Sequence, residues 1–312
     1  MRLLFLLLAT FTAAEQAVHP TSAPFVNVAY AGSLVTLMER LMRPAFNKGG
    51  YEFRGEAKGS VALANFIREG LRNPDVFISA DPALLESLQA TPDPPVKWYL
   101  PFASARLLIG YSARSRYAAS LREAAQHRRS IASVLAQPGL RIGRTDPAID
   151  PKGYRTLIVL QLAEHYYHAP GFARRVLGAA NSAQLFPEET LLVRLESGDL
   201  DAAFLYSTES APRNLPTLEL PAAVNLGDTK FARSYRKVSV RIGRKTVVGT
   251  PILYALTIPE HALNKPGAIA FIRFLFSKTA KRLLQRSGLR FVYEAPRGNR
   301  NAVPKVLLSL HQ

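Results

Sequence analysis

Residues 146–155 read DPAIDPKGYR: two Asp-Pro pairs, a Gly-Tyr corner and an Arg, set directly before the apolar run TLIVLQLAEHYY. Asp before Pro starts turns and caps helices, so Asp146 and Asp150 have a purely local reading. A carboxylate at such a corner can also work as an acid or base, or approach a ligand. A second acidic cluster, FPEETLLVRLESGDLD, opens with Glu188 and Glu189, where negative side chains also suit the dipole of a helix start. Asp150 and Glu188 together make a candidate acid/base pair of a secreted hydrolase. Ser33 in AYAGSL and Ser60 in AKGSVAL each follow a Gly, between a strand-like and a helix-like stretch. A Ser in that place caps a helix. It also sets a hydroxyl and free backbone N–H groups at the carboxyl end of a strand, where anions bind. Two such turns at one sheet edge favour a shared oxyanion over two unrelated caps.

Other chemistry is poorly supported. The chain has no GxxxxGK[ST] loop, no GxGxxG and no GxSxG elbow. Its six His residues lack an HExxH or related ligand spacing, and His165 and His168 read as helix-surface or interface residues beside Tyr166 and Tyr167. With no cysteine there is no disulfide scaffold, thiolate metal site or Cys nucleophile. The single Trp98, after TPDPP, is expected at a lobe edge.

The elements that position these residues follow a βα rhythm. FVNVAYA, YEFRGEAK and DVFIS read as strands, each followed by a turn and an apolar pattern of helical spacing. Three such units predict an α/β domain with a mainly parallel sheet. WYLPFASARLLIGYSA reads as a strand leaving this domain, and VVGTPILYALTIP as one long strand returning to it. Between them lie the helices TLIVLQLAEHYYHA and EETLLVRLES and the strand DAAFLY, and KPGAIAFIRFLFSKTAKRLLQRSGL reads as one amphipathic helix. Two α/β lobes joined by two strand crossings are therefore expected. Lobe 1 would hold residues 21–105 and 248–312, and lobe 2 residues 106–247.

The 312 residues are 48% hydrophobic, which suits one large or two medium globular domains. The start, MRLLFLLLATFTAAEQ, reads as a signal peptide over residues 1–20, with an apolar run too short to span a bilayer. A periplasmic, unanchored address follows. The formal net charge of +17 favours anionic partners. The basic residues are scattered without an interleaved aromatic platform, and an exported chain does not meet nucleic acid, so no nucleic-acid partner is expected.

Several stretches carry a resemblance. AYAGSL, KGSVALANFI, PDVFISADPALLE, DPAIDPKGYRTLIVLQLAEHYY, LLVRLESGDLDAAFLY, LPAAVNLGDTKFARSYRKVSV and TPILYALTIP occur in that order over nearly the whole mature chain. Together they resemble the tungstate/molybdate-binding proteins of ABC importers, most specifically in DPxxDPxGYR with its apolar helix. The resemblance implies a type II periplasmic-binding-protein fold, with two lobes of mixed, mainly parallel sheets flanked by helices and a two-strand hinge. It implies no catalysis and no cofactor, a tungstate or molybdate ligand between the lobes, a permease in the inner membrane as partner, and a monomer. Ser33 and Ser60 are then hydrogen-bond donors to oxo groups, and Tyr206 is a further donor. Asp150 and a Glu of FPEET approach the metal centre of the oxyanion. An ungapped match selects Glu188 and the local PxET spelling selects Glu189, with Glu188 preferred because gaps inside helices are rare. This chain departs from its relatives in having LFPEE without a basic residue before the Glu, a short segment after HYY, and STESAPRNLP in place of a His-containing run. The alternative ligands are phosphate and sulfate.

Overall fold

The computed structural model describes residues 24–178, 182–292 and 294–311. The signal-peptide reading of residues 1–20 lies outside them.

The three leading βα units form as the pattern predicts. Strands β1 (Phe25–Ala31), β2 (Glu52–Lys58) and β3 (Val76–Ser79) pair in parallel, with β1 in the middle. Helix Ser60–Arg68 follows β2 and helix Pro82–Gln89 follows β3. Alternating apolar residues of β1 pack on both faces, as a strand covered by helices on both sides requires. Strand β4 (Trp98–Ser104) is buried throughout, and Trp98 lies in the core rather than at a lobe edge.

Where one continuous strand is expected to leave the domain, the chain forms two, β4 and β5 (Leu107–Tyr111), broken at Ala105–Arg106. Here it passes from the first sheet to a second one. That sheet contains β6 (Ile142–Gly143), β7 (Ala202–Tyr206) and β8 (Thr217–Leu218) in the order β6-β7-β5-β8. The return also comes in two pieces. β9 (Ser239–Ile242) and β10 (Lys245–Val248) form a separate hairpin, and β11 (Leu253–Thr257) rejoins the first sheet after a break containing Gly249 and Pro251. Proline cannot donate to a ladder, which ends the expected long strand there. The outgoing and returning segments touch, with Ala105 N donating to Ile252 O at 3.3 Å, and so form a two-strand hinge.

The ladders are less parallel than the βα rhythm suggests. In the first sheet β11 runs antiparallel between β3 and β4, and β12 (Arg290–Phe291) and β13 (Arg297–Gly298) pair antiparallel with β4. In the second sheet β5 runs antiparallel between β7 and β8, leaving only β6–β7 as a parallel pair. In both sheets the reversed inner strand is the one that has just arrived from the other sheet. A strand entering across the hinge points away from it, whereas βα units run toward the interlobe side. The predicted C-terminal amphipathic helix is likewise two helices, Lys265–Leu275 and Lys278–Arg286, because Ser277 caps the second by accepting from Ala280 N.

Candidate functional site

The strand ends determine what meets between the lobes. β1 ends at Gly32–Ser33, β2 at Gly59–Ser60 and β3 just before Asp81, all at carboxyl ends on one side of the first sheet. From the second sheet, β6 leads to Thr145 and β7 ends at Tyr206. This is the edge at which α/β sheets bind ligands.

Asp150 resolves the choice between cap and cleft acid by dividing its two oxygens. Its Oδ1 accepts from Lys152 N at 2.7 Å and caps helix Pro151–Tyr166, which starts with Pro in the favoured first position. Its Oδ2 is buried and receives no hydrogen bond from an N–H or hydroxyl group, and the side chain that neighbours this carboxyl is Glu188. The motif glycine, Gly153, is required by space, since a Cβ would come within 2.5 Å of Pro147 N and 2.6 Å of Asp146 C. The first helical turn is thus pressed onto the first Asp-Pro turn.

Glu188 opens helix Glu188–Ser197 and is buried, whereas Glu189 is exposed at the rim. Both line an interlobe cavity of about 250 Å³ that also contains Lys58, Gly59, Thr145 and Asp150. The two Gly-Ser turns face the two acids in pairs. A Cβ on Gly32 would collide with Glu188 Oε2, and one on Gly59 would lie 2.8 Å from Ile149 O and 3.8 Å from Asp150 Cβ. Glycine therefore allows the lobes to approach this closely. Ser60 Oγ accepts from Ala80 N at 3.1 Å, which leaves its own proton free to donate. Ser33 Oγ lies 2.9 Å from the Tyr254 hydroxyl. Tyr206 Oη accepts from Arg155 at 3.0 Å, so its proton is also free. His165 stands apart, with Nδ1 2.8 Å from Gln161 O, and among the described residues no group of three or more His, Cys, Asp or Glu could hold a metal ion.

Several residues at the site were missed by motif reading. Lys152 is fully buried, with Nζ 2.6 Å from Glu209 Oε1 and 3.2 Å from Glu188 Oε1. Glu209 is fixed in turn by Tyr206 N, which donates to its Oε2 at 2.7 Å. Tyr154 donates to Asp81 Oδ2 across the lobes, and Arg155 donates to Ala80 O at 2.6 Å. A signal for Lys152 and Arg155 was present in DPKGYR, where both fall within two turns of a capping acid, just ahead of the apolar run TLIVL. Glu209 had no comparable local signal.

The electrostatics follow from burial. Burial raises the Asp150 carboxyl, opposed by the Lys152 charge and backbone N–H. Burial, and then the neighbouring Asp150 charge, push Glu188 well above the ordinary carboxylate range. For Lys152 burial opposes the charge, but Glu188, Glu209 and Asp150 outweigh it and hold the ammonium ionised. A raised acid favours folding in its neutral form, so the contribution of Glu188 is complete below its unfolded pKa and is lost as pH rises through the folded value. Glu188→Gln is therefore expected to raise the melting temperature of the ligand-free protein, with a gain that grows from pH 5 to pH 8 in thermal scans. A gain independent of pH would contradict the assigned protonation.

Comparison with known proteins agrees with the fold. The profile of the bacterial extracellular solute-binding protein family matches residues 26–290. The molybdate/tungstate-binding protein WtpA of Pyrococcus abyssi is 30% identical over 262 residues, covering 77% of this chain and 75% of that protein. WtpA of Thermococcus kodakarensis is 30% identical over 263 residues, covering 77% and 73%. The solved periplasmic molybdate-binding protein of Azotobacter vinelandii superposes with a TM-score of 0.59 at 19% identity, over 86% of this chain and 99% of that one, a likeness of fold. No helix of the described residues is long and apolar enough to cross a membrane. With its two sheets, its paired hinge segments and its acid-lined cleft, the chain belongs to the family of bacterial extracellular solute-binding proteins.

Proposed function

We propose that the protein is the capture component of an ABC importer for tungstate or molybdate, working in the periplasm as a monomer and handing its ligand to an inner-membrane permease. We assign the described residues within 21–105 and 248–312 to one lobe, and those within 106–247 to the other. The observation that carries this reading is the pair of buried acids, Asp150 and Glu188, set against each other in one interlobe cavity, with Asp150 Oδ2 receiving no N–H or hydroxyl donor. Carboxylates beside a sulfate are an electrostatic penalty, because like charges repel strongly in a poorly hydrated cleft. Sulfur in sulfate has no open coordination position to offset it. Hexavalent tungsten or molybdenum accepts further oxygen ligands, so the same two acids become bonds. Ser33, Ser60 and Tyr206, at the strand ends rather than among the residues lining that cavity, supply donors to the oxo groups, and Glu189 at the rim is the weaker candidate for the second acid. The relatives named for molybdate and tungstate support the same ligand class.

A second reading, hydrogen phosphate, draws on the same Asp150 oxygen, which can accept the phosphate O–H. Competition calorimetry separates the two. Tungstate heat that survives excess sulfate and phosphate supports the proposal, and heat abolished by phosphate supports the alternative. A tungsten L-edge spectrum with coordination above four supports carboxylate ligation directly.

Capture requires both lobes, so only the closed form satisfies the ligand. Gly59→Ala is expected to keep the lobes further apart in saturating tungstate and to weaken binding about tenfold or more. Small-angle scattering with a radius of gyration equal to that of the wild type would refute the close-approach role of Gly59.

A further inference from the structure

Thr145 is a residue that neither motif nor charge singles out. It is 1% exposed, its Oγ1 has no hydrogen-bond partner, and it lines the interlobe cavity with Asp150 and Glu188. A buried hydroxyl without a partner costs free energy, so native proteins rarely keep one without a use. Its position is well determined. Arg144 forms a parallel bridge with Leu185, with Arg144 N donating to Gln184 O at 2.8 Å and Phe186 N to Arg144 O at 3.0 Å. This pairing locks the carboxyl end of β6 to the segment that leads into Glu188. Thr145 and Glu188 are thereby held at adjoining walls of one cavity by backbone pairing rather than by flexible side chains.

The cavity thus sets an unsatisfied hydroxyl beside a pair of acids, and the needs of the two are opposite. Thr145 Oγ1 has a proton to give, and Asp150 Oδ2 has lone pairs to give. A guest that answers both presents an oxygen acceptor next to an electron-poor centre or an acidic proton, as a tetrahedral oxyanion of tungsten, molybdenum or protonated phosphorus does. Bare sulfate answers only the donor. We infer that Thr145 is a further ligand-binding residue, whose hydroxyl donates a hydrogen bond to an oxygen of the anion whose centre Asp150 approaches. This rests on the oxyanion reading of the cleft and adds to it a donor from the second lobe. Together with Ser33 and Ser60 from the first, it grips the anion from both sides and rewards closure.

Thr145→Val keeps the branched shape and removes the hydroxyl, and Thr145→Ser keeps the hydroxyl and removes a methyl. Titration calorimetry with sodium tungstate and, separately, with inorganic phosphate is run on the mature protein and both variants, with a thermal melt of each. The expected result is about 10- to 100-fold weaker binding for Thr145→Val, affinity within threefold of the wild type for Thr145→Ser, and similar melting temperatures. Should Thr145→Val fold poorly, Thr145→Ala tested against Thr145→Ser provides the same contrast. Equal affinity of the wild type and the hydroxyl-free variant overturns the inference, as does equal loss in the Ser and Val variants. If the wild type binds phosphate and not tungstate, the metal reading falls, while loss of phosphate binding in Thr145→Val still supports the Thr145 donor. If it binds neither anion, both fall.

Discussion

Asp150→Asn is expected to weaken tungstate binding about 100-fold or more, ~2.7 kcal/mol, while sulfate binding, whatever its level, is unchanged or improved. The asymmetry comes from the division of labour between the two carboxylate oxygens. The capping contact to Lys152 N uses Oδ1, and an Asn carbonyl oxygen can make it too, so the helix start and the fold are preserved. The oxygen exchanged for an amide is Oδ2, which receives no N–H or hydroxyl donor and faces the Glu188 carboxyl. An amide nitrogen cannot ligate tungsten, but it can donate to an oxo oxygen, which sulfate also offers. The variant would therefore convert a metal-ligating site toward a plain oxyanion site. Calorimetry with both anions measures the change. Parallel losses for tungstate and sulfate would refute direct coordination and leave Asp150 as a structural cap.

Lys152→Met is the second large effect, on stability rather than selectivity. Lys152 Nζ is the shared partner of Glu188 and Glu209 in a fully buried setting. Removing the single cation of this network strands buried carboxylate charge and costs about 3–5 kcal/mol. The ligand-free protein should accordingly melt well below the wild type near neutral pH. The sign of the pH dependence is also determined. Without the ammonium that lowers Glu188, its folded pKa rises further, so stability lost at neutral pH should return as pH falls toward the ordinary carboxylate range. Adding Glu209→Gln to Lys152→Met should recover part of the loss, because it removes one of the stranded acids. A single variant as stable as the wild type at pH 7, or a deficit that deepens on acidification, would contradict the network.

Much of the scaffold was legible in local pattern. The strands before Gly32, Gly59 and Asp81 show in alternating and continuous apolar runs, and the helices after them show in spacing and capping residues. Errors clustered where one element becomes two: at Ala105–Arg106, at Gly249–Pro251 and at Ser277. Each break interrupts a continuous apolar run, and periodicity does not register it. The directions of β5 and β11 were not legible, because the βα rhythm describes only strands connected within one lobe.

For the site, the sequence by itself determined what is local: that Asp150 caps a helix after a Pro-rich turn, that Ser33 and Ser60 follow glycines at strand ends, and that an acid starts the helix after Pro187. These depend on neighbours within a few residues, and the backbone satisfies them wherever the segment lies. The match to relatives already preferred Glu188, and only the tertiary structure decided that Glu188 is buried while Glu189 stays exposed at the cavity rim. Glu188 and Glu189 are adjacent on a helix and point about 100° apart, so packing of Leu191, Leu192 and Leu195 against the second sheet turns one inward and the other out. It also paired Lys152 with Glu209 across 57 residues, Tyr154 with Asp81 across 73, and placed Thr145 in the cavity wall beside Glu188. Such contacts are fixed by the burial of whole elements against each other, a long-range balance that no short stretch of sequence encodes.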